Sequence, residues 1–328
     1  MNVASGPFNT LPAHLFETAC TSCTVKEICG EAHAPWACPA DPEAFGDDFI
    51  HPIRDGRRLL QELLMPPVRG TWASLPPGVA FIPVTTLTTE APSARDLHSV
   101  LSYRPRARAK IALLTGSDAD LQRLWNSRGR WVRRIAERYI LAVGPTYSNW
   151  LPDPPIHGLV AIRRSAEISR LLADKLPTIP GVTWRTRLDI HRYVAWFREC
   201  WPGSIHVYFS TLKDHDEWLG FLHGLRYLAT HLSSVGPLPS LLAQGPSKVH
   251  RIEGVLDAWP GQVAFATEHP GAIARHGLRL KGDLSEAPDQ ITPFDQLEAA
   301  NIRTFEETVR TLIAKRDRDK HVPREESA

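Results

Sequence analysis

The chain has 328 residues, with 38 Lys and Arg against 36 Asp and Glu, a formal net charge of +2 and 43% hydrophobic residues. That length can bury a sizeable core as one large α/β domain or two smaller ones, and a charged share of 23% argues against extensive disorder. No apolar run approaches the roughly eighteen residues that span a bilayer, so a soluble protein without a membrane partner is expected.

Four of the five cysteines, Cys20, Cys23, Cys29 and Cys38, crowd into the N-terminal segment, and Cys200 stands apart. Met1–Leu11 carries no basic patch followed by an apolar stretch, so a secretory route is not indicated and a reducing, cytoplasmic setting is expected. Clustered thiols in that setting are metal ligands more often than disulfides, although reduced thiols without a ligand are the plain alternative. Structural zinc usually uses two paired knuckles, whereas only Cys20–Cys23 forms one here. Cubane iron–sulfur clusters take four thiolates at more varied spacings, so a [4Fe–4S] centre on the four cysteines is expected, with zinc as the alternative cofactor.

The C-x-x-C run followed by five residues and a third cysteine, with Val25 between, is similar to the local motif of WhiB-like actinobacterial regulators and of iron–sulfur RecB-type nucleases. In those families one ligand lies upstream of the trio, whereas Cys38 lies downstream, and His33 and Cys200 stand as alternative fourth ligands. The Cys-rich segment and a proline-rich linker, with one short amphipathic helix near Arg57–Leu64, make up residues 1–75.

From Pro76 onward short aliphatic runs alternate with helical patterns. The expected strands are Val79–Val84, Ile111–Thr115, Tyr139–Val143, Thr178–Trp184, Ile205–Ser210, Leu241–Gln244 and Gln262–Thr267. Helices are expected over Ala94–Leu101, Asp118–Arg138, Ser165–Lys175, Leu188–Cys200, Asp216–Leu232 and Lys248–Asp257, with Ser247 as an N-cap. Strict alternation predicts a parallel sheet with helices outside, fitting a (β/α) barrel-like domain over residues 76–290, with an open doubly wound sheet as the alternative. A helix over Phe294–Lys315 and a charged tail fill residues 291–328.

The segments G-P-T-Y-S-N-W, T-I-P-G-V-T-W, V-Y-F-S-T and Q-G-P-S resemble an uncharacterised family of phages and mobile elements, over about residues 140–250. The resemblance implies an architecture and a site, and no reaction.

In a parallel barrel the site forms where the strands' carboxyl ends converge. The loops there are rich in hydroxyls, amides and arginines. They offer Tyr147 and Trp184 as stacking faces, Asn149 and Thr211 as polar contacts, and Arg185 and Arg187 as counter-charges. Ser247, after a Gly–Pro turn at a helix start, could hold a phosphate on its amide. Glu268, His269 and Asp118 are the candidate acid–base groups. There is no Walker loop, no G-x-G-x-x-G and no G-x-S-x-G, which disfavours P-loop, dinucleotide and α/β-hydrolase chemistry.

From Arg104 to Arg138 ten Lys or Arg face three acids. Arg128, Arg130, Arg133 and Arg134, with Trp125 and Trp131 interleaved, suit a nucleic-acid surface; the bland alternative is a solvated helix whose tryptophans point inward. The expectation is a metal-cluster-containing barrel enzyme acting on a nucleotide or nucleic-acid base by modification or hydrolysis. The rival is a non-catalytic redox-sensing regulator that binds nucleic acid or protein.

Overall fold

The computed structural model describes residues 79–83, 109–115, 118–139, 141–147, 155–184, 187–199, 201–212, 214–267 and 269–319. The four N-terminal cysteines, the helix expected at Arg57–Leu64 and that at Ala94–Leu101 lie outside the described residues.

Eight short strands run parallel: β1 (Val79–Pro83), β2 (Ala109–Leu113), β3 (Leu141–Val143), β4 (Thr178–Ile179), β5 (Gly181–Val182), β6 (Ser204–Tyr208), β7 (Ser240–Gln244) and β8 (Val263–Ala266). They form two four-stranded ladders, β1-β2-β3-β4 and β5-β6-β7-β8. Only Pro180 separates β4 from β5. Gly144 N–H donates to the Ile179 carbonyl at 2.7 Å on one side, and His206 N–H to the Pro180 carbonyl at 2.9 Å on the other. Residues 178–182 therefore join the ladders into one sequentially ordered series. Proline donates no hydrogen bond, which accounts for the ladder changing partners there. The order contains no reversal, the feature that defines a doubly wound sheet.

The helices between the strands are α1 (Asp118–Asn126), α2 (Arg128–Arg138), α3 (Pro155–Ala173), α4 (Arg187–Glu199), α5 (His215–Ser233), α6 (Val249–Ala258) and α7 (His269–Arg275). The helix expected over Asp118–Arg138 breaks at Ser127, where Asn126, Ser127 and Gly129 favour turn over helix. The helix expected from Ser165 begins ten residues earlier, with Pro155 in the first turn, where a missing N–H costs nothing. Helix α5 shows the local logic most fully. The Asp214 carboxylate accepts the amides of Asp216 and Glu217 at 2.8 and 3.2 Å, and both acids favour the positive helix end. Trp218, Leu222, Leu225, Leu228, Ala229 and Leu232 then recur along one buried face.

Two strands the sequence patterns did not announce, β9 (Leu278–Leu280) and β10 (Glu286–Pro288), form an antiparallel hairpin. The C-terminal helix α8 (Phe294–Asp319) lies against it and adds Phe305, Val309 and Ile313 to the main core. Asn301, fully buried, receives the Leu280 amide at 2.8 Å and donates to the carbonyls of Leu278 and Pro270 at 2.9 and 3.3 Å. Arg316 donates to the carbonyls of Trp259 and Gly261, fastening α8 to the end of α6.

Two hydrophobic clusters hold the helices to the strands. Ala112, Leu114 and Ala142 serve α1–α3, and Val182, Ile205, Val207, Leu241, Ala243, Val263 and Phe265 serve α4–α8. These are alternate positions, all on one face of the strands. The intervening positions Ile111, Leu113, Leu141, Val143, Ile179, His206, Leu242, Ala264 and Ala266 are also buried, yet belong to neither cluster. The strands are thus buried on both faces, and among the described residues the helices pack against one. No helix among the described residues is long and apolar enough to cross a membrane.

Candidate functional site

Because the strands are parallel, their carboxyl ends open on one edge. The register brings two polar side chains together on the face that no helix cluster among the described residues covers. His206 stands opposite Gly181 and Leu242, and Gln244 opposite Tyr208 and Ala266. His206 Nε2 lies 2.9 Å from Gln244 Oε1. Burial holds the His206 pKa down at about 4, against the pull of Gln244 and the nearby Gly144 carbonyl. The ring is therefore neutral near pH 7. It carries one N–H, and the tautomer sets whether Nε2 donates to or accepts from the Gln244 amide. Nδ1 is buried with no hydrogen-bond partner among the described residues, although the Gly144 backbone lies close enough to raise the pKa.

Gln244 leads directly into Gly245-Pro246-Ser247-Lys248 and helix α6. Gly245 has φ +113°, and a Cβ there would stand 2.6 Å from the Ser210 amide nitrogen, so glycine is required both by conformation and by the approach of the β6 end. The N-cap of α6 is Lys248, not Ser247, and its side chain makes no capping bond; no acid sits in the first turn. This helix start is open and bears partial positive charge. Ser247, half-buried, forms no side-chain hydrogen bond among the described residues.

At the neighbouring strand end, the His269 amide donates to Thr267 Oγ1 at 3.2 Å as α7 begins. His269 Nε2 is 3.4 Å from Glu286 Oε1 of β10. Burial lowers the His269 pKa, Glu286 opposes that, and Lys248 lowers it further. Lys248 and His269 therefore share one electrostatic neighbourhood across β7 and β8. Glu268, Asn149 and Arg185 lie outside the described residues, and Asp118 begins α1. Thr211 sits half-buried in the turn after β6.

The aromatic candidates face the helices. Trp184 stacks on Phe221 of α5 at 4.2 Å in one cluster, and its Nε1 is buried without an acceptor. Tyr147 belongs to the other cluster and donates its hydroxyl to the Leu121 carbonyl at 3.0 Å. Arg187, at the start of α4, lies over the Tyr227 ring at 5.2 Å, beside a His191–Tyr227–His231 group. The strand-end residues thus separate into an inner polar set (His206, Gln244), a β7–β8 edge (Ser247, Lys248, His269) and a helix-facing aromatic set. His206 and Lys248 were absent from the expected site. Their signals were faint: a histidine inside the apolar run S-I-H-V-Y, and a lysine beside the proposed phosphate-binding serine.

On α2, Arg130 and Arg133 are exposed, and Arg128 and Arg134 are partly covered. Arg128 lies 4.2 Å over the Trp125 ring and Arg134 5.4 Å from that of Trp131. No carboxylate among the described residues pairs with any of the four. Trp131 is buried in the core and Trp125 packs against it, so the tryptophans anchor this helix pair from within.

Among the described residues no group of three or more His, Cys, Asp or Glu could hold a metal ion. Taken as a class, this is a mixed α/β protein with parallel sheets. No family model and no curated protein matches the chain.

Proposed function

We propose that the strands close into a (β/α) barrel whose carboxyl-end mouth binds a nucleotide or a nucleic-acid base and acts on it by modification or hydrolysis. Closure is supported by the sequential order and by the burial of a strand face that the helix clusters leave alone, as barrel interiors are filled by side chains. The observation that carries the ligand reading is the uncapped, acid-free start of α6 directly after Gln244, with Lys248 beside it. Backbone N–H groups and a cation at that place suit a phosphate. Glu268 and His269, one strand over, are the acid–base pair in this reading. Burial and Lys248 keep His269 neutral and able to accept a proton near neutral pH.

The N-terminal Cys20, Cys23, Cys29 and Cys38 are proposed to hold an iron–sulfur cluster, or zinc, in a structural capacity, since four thiolates leave no open coordination position. Iron, sulfide and zinc analysis of anaerobically purified protein, with its visible spectrum, tests that part alone. A colourless, metal-free protein would remove it.

For the ligand, calorimetric titration with nucleoside monophosphates and their unphosphorylated nucleosides is the direct test. Phosphorylated forms are expected to bind more tightly. Lys248→Ala should weaken them by about tenfold, the scale of one charge-assisted contact, and leave the nucleosides unchanged. Absence of binding by any nucleotide would overturn the reading. A second reading, a nucleic-acid-binding regulator, is favoured by the unpaired Arg130 and Arg133. Single-strand binding without any turnover would decide for it.

A further inference from the structure

Away from the strand ends, helices α4 and α5 bring four polar side chains together where the pair meets solvent. Arg187 opens α4 and His191 lies one turn on, while Tyr227 and His231 fall in the last two turns of α5. The Arg187 guanidinium carbon is 5.2 Å from the centre of the Tyr227 ring. The His191 and His231 rings meet edge to face with centres 5.0 Å apart, and His191 Nε2 is 3.0 Å from the Tyr227 hydroxyl. His231 Nδ1 is 2.9 Å from the Tyr227 carbonyl, an oxygen that can only accept, so this contact takes a proton on Nδ1. Arg187 is exposed and the other three are half-buried, so the cluster reaches solvent.

The cluster lacks negative charge. No carboxylate among the described residues pairs with Arg187, His191 or His231. Asp189, in the first turn of α4, is buried and lies 2.8 Å from Arg192. Glu199 ends α4, two turns beyond His191. Asp216 and Glu217 stand in the first turn of α5, about 15 Å along the axis from Tyr227. The other titratable groups of the two helices are Arg198 on α4 and His215, His223 and Arg226 on α5, all exposed, and Tyr193, buried in the core. Burial lowers the His191 pKa, and His231 and then Arg187 lower it further. Three groups able to carry positive charge thus oppose one another across a patch with no acid to offset them.

We propose that this α4–α5 cluster is a proton-linked binding site for a phosphate or sulfate group, separate from the strand-end mouth and independent of what binds there. Arg187 supplies a permanent charge and a planar set of donors. His231 keeps its Nδ1–H on the Tyr227 carbonyl and on protonation gains an Nε2–H for the anion. A tetrahedral dianion reverses the sign of the local field, favours the charged imidazoles and is bound together with protons. Binding therefore strengthens as pH falls through the histidine range and weakens above it, where Arg187 alone remains charged. A divalent cation would meet the Arg187 charge with no carboxylate to offset it.

Sulfate keeps its double charge across the histidine range, so it separates protonation of the protein from that of the ligand. Imidazole NMR of the full-length protein reads the site directly, with His191→Gln and His231→Gln assigning two of the 14 histidine signals. At constant ionic strength set with chloride, sulfate should shift both signals and raise the pH at which they titrate. Its affinity at pH 5.5 should be at least about tenfold that at pH 8. Arg187→Gln should weaken binding about tenfold at both pH values, and the double histidine variant should remove the pH dependence. Lys248→Ala should leave the response unchanged, which separates this site from the start of α6. Inorganic phosphate run in parallel identifies which oxyanion binds more tightly. None of the three substituted cluster side chains is fully buried, and circular dichroism establishes that each variant is folded. Histidine signals that titrate identically in sulfate and chloride overturn the proposal. So does a response to zinc alone, which would make the imidazole pair a metal site, or a sulfate response lost in Lys248→Ala and kept in Arg187→Gln.

Discussion

Leu241 and Leu242 are chain neighbours on opposite faces of β7, and they measure whether the inner face is a true interior. Leu241 is 1% exposed and belongs to the helix-packed cluster, whereas Leu242 is 2% exposed and belongs to none. Truncating either leucine to alanine removes three carbon-bearing groups, worth about 2.4 kcal/mol at roughly 0.8 kcal/mol each. The unfilled cavity adds to this, giving an expected loss of about 3 kcal/mol for Leu241→Ala. If the inner face is packed as a barrel interior, Leu242→Ala costs the same within about 1 kcal/mol. Urea unfolding followed by tryptophan fluorescence is the assay. With an m-value near 3 kcal/mol/M, each variant should move the midpoint down by about 1 M with m unchanged. A Leu242→Ala loss below about 1 kcal/mol beside a normal Leu241→Ala loss would refute the closed-interior argument. It would mean that water, or a loosely held segment, lies against that face.

Three further outcomes follow from named contacts. His206 is neutral when folded, with its pKa lowered to about 4 against 6.5 for the unfolded chain. The unfolded state therefore binds the extra proton between those values, so stability is complete above about pH 6.5 and falls as pH drops toward 4, by about 3 kcal/mol in all. Urea midpoints at pH 7 and pH 5 should show the decline, and it should be visibly smaller in His206→Leu. Asn301→Ala leaves the buried Leu280 amide and Leu278 carbonyl without partners, at a cost of about 2–4 kcal/mol, measured by thermal unfolding. A double Arg130→Ala, Arg133→Ala variant should fold unchanged, and its single-strand binding, read by mobility shift, should show a salt slope about 1.4 smaller than wild type.

The alternation of elements was legible because parallel strands buried on both faces read as unbroken aliphatic runs. I-A-L-L, I-H-V-Y and L-L-A-Q each announced a strand within two residues of its observed bounds. Boundaries failed where a single residue decided them. Ser127 splits a helix that the apolar spacing of Leu124, Trp131 and Ile135 carries straight through. Pro155 starts a helix inside a stretch, L-P-D-P-P, whose prolines read as loop. The β9–β10 hairpin escaped because three-residue strands carry too little pattern, and its turn places Leu284 at φ +59° where glycine or asparagine would be the usual signal.

The site was less legible for a reason rooted in the same burial. When both faces of a strand are apolar, sequence cannot say which face meets helices and which meets the interior. Tyr147 and Trp184 end their strands and look like lids over a mouth. Yet both lie beyond the paired ladder and pack on the helix side, where Leu121 and Phe221 engage them. His206 looks like a core residue, and in burial it is one. Only the pairing of Gly181 with His206 and of Tyr208 with Gln244 places imidazole and amide on the shared inner face. Phase, a property of the ladder and not of any one strand, is what sets these two polar groups on that face. A one-residue slip of β6 against β7 would send His206 to the helices and abolish its bond to Gln244. The Ser204–Ser240 and Tyr208–Gln244 pairings at the two ends of that ladder hold the phase, and so the candidate site depends on register more than on any residue it contains.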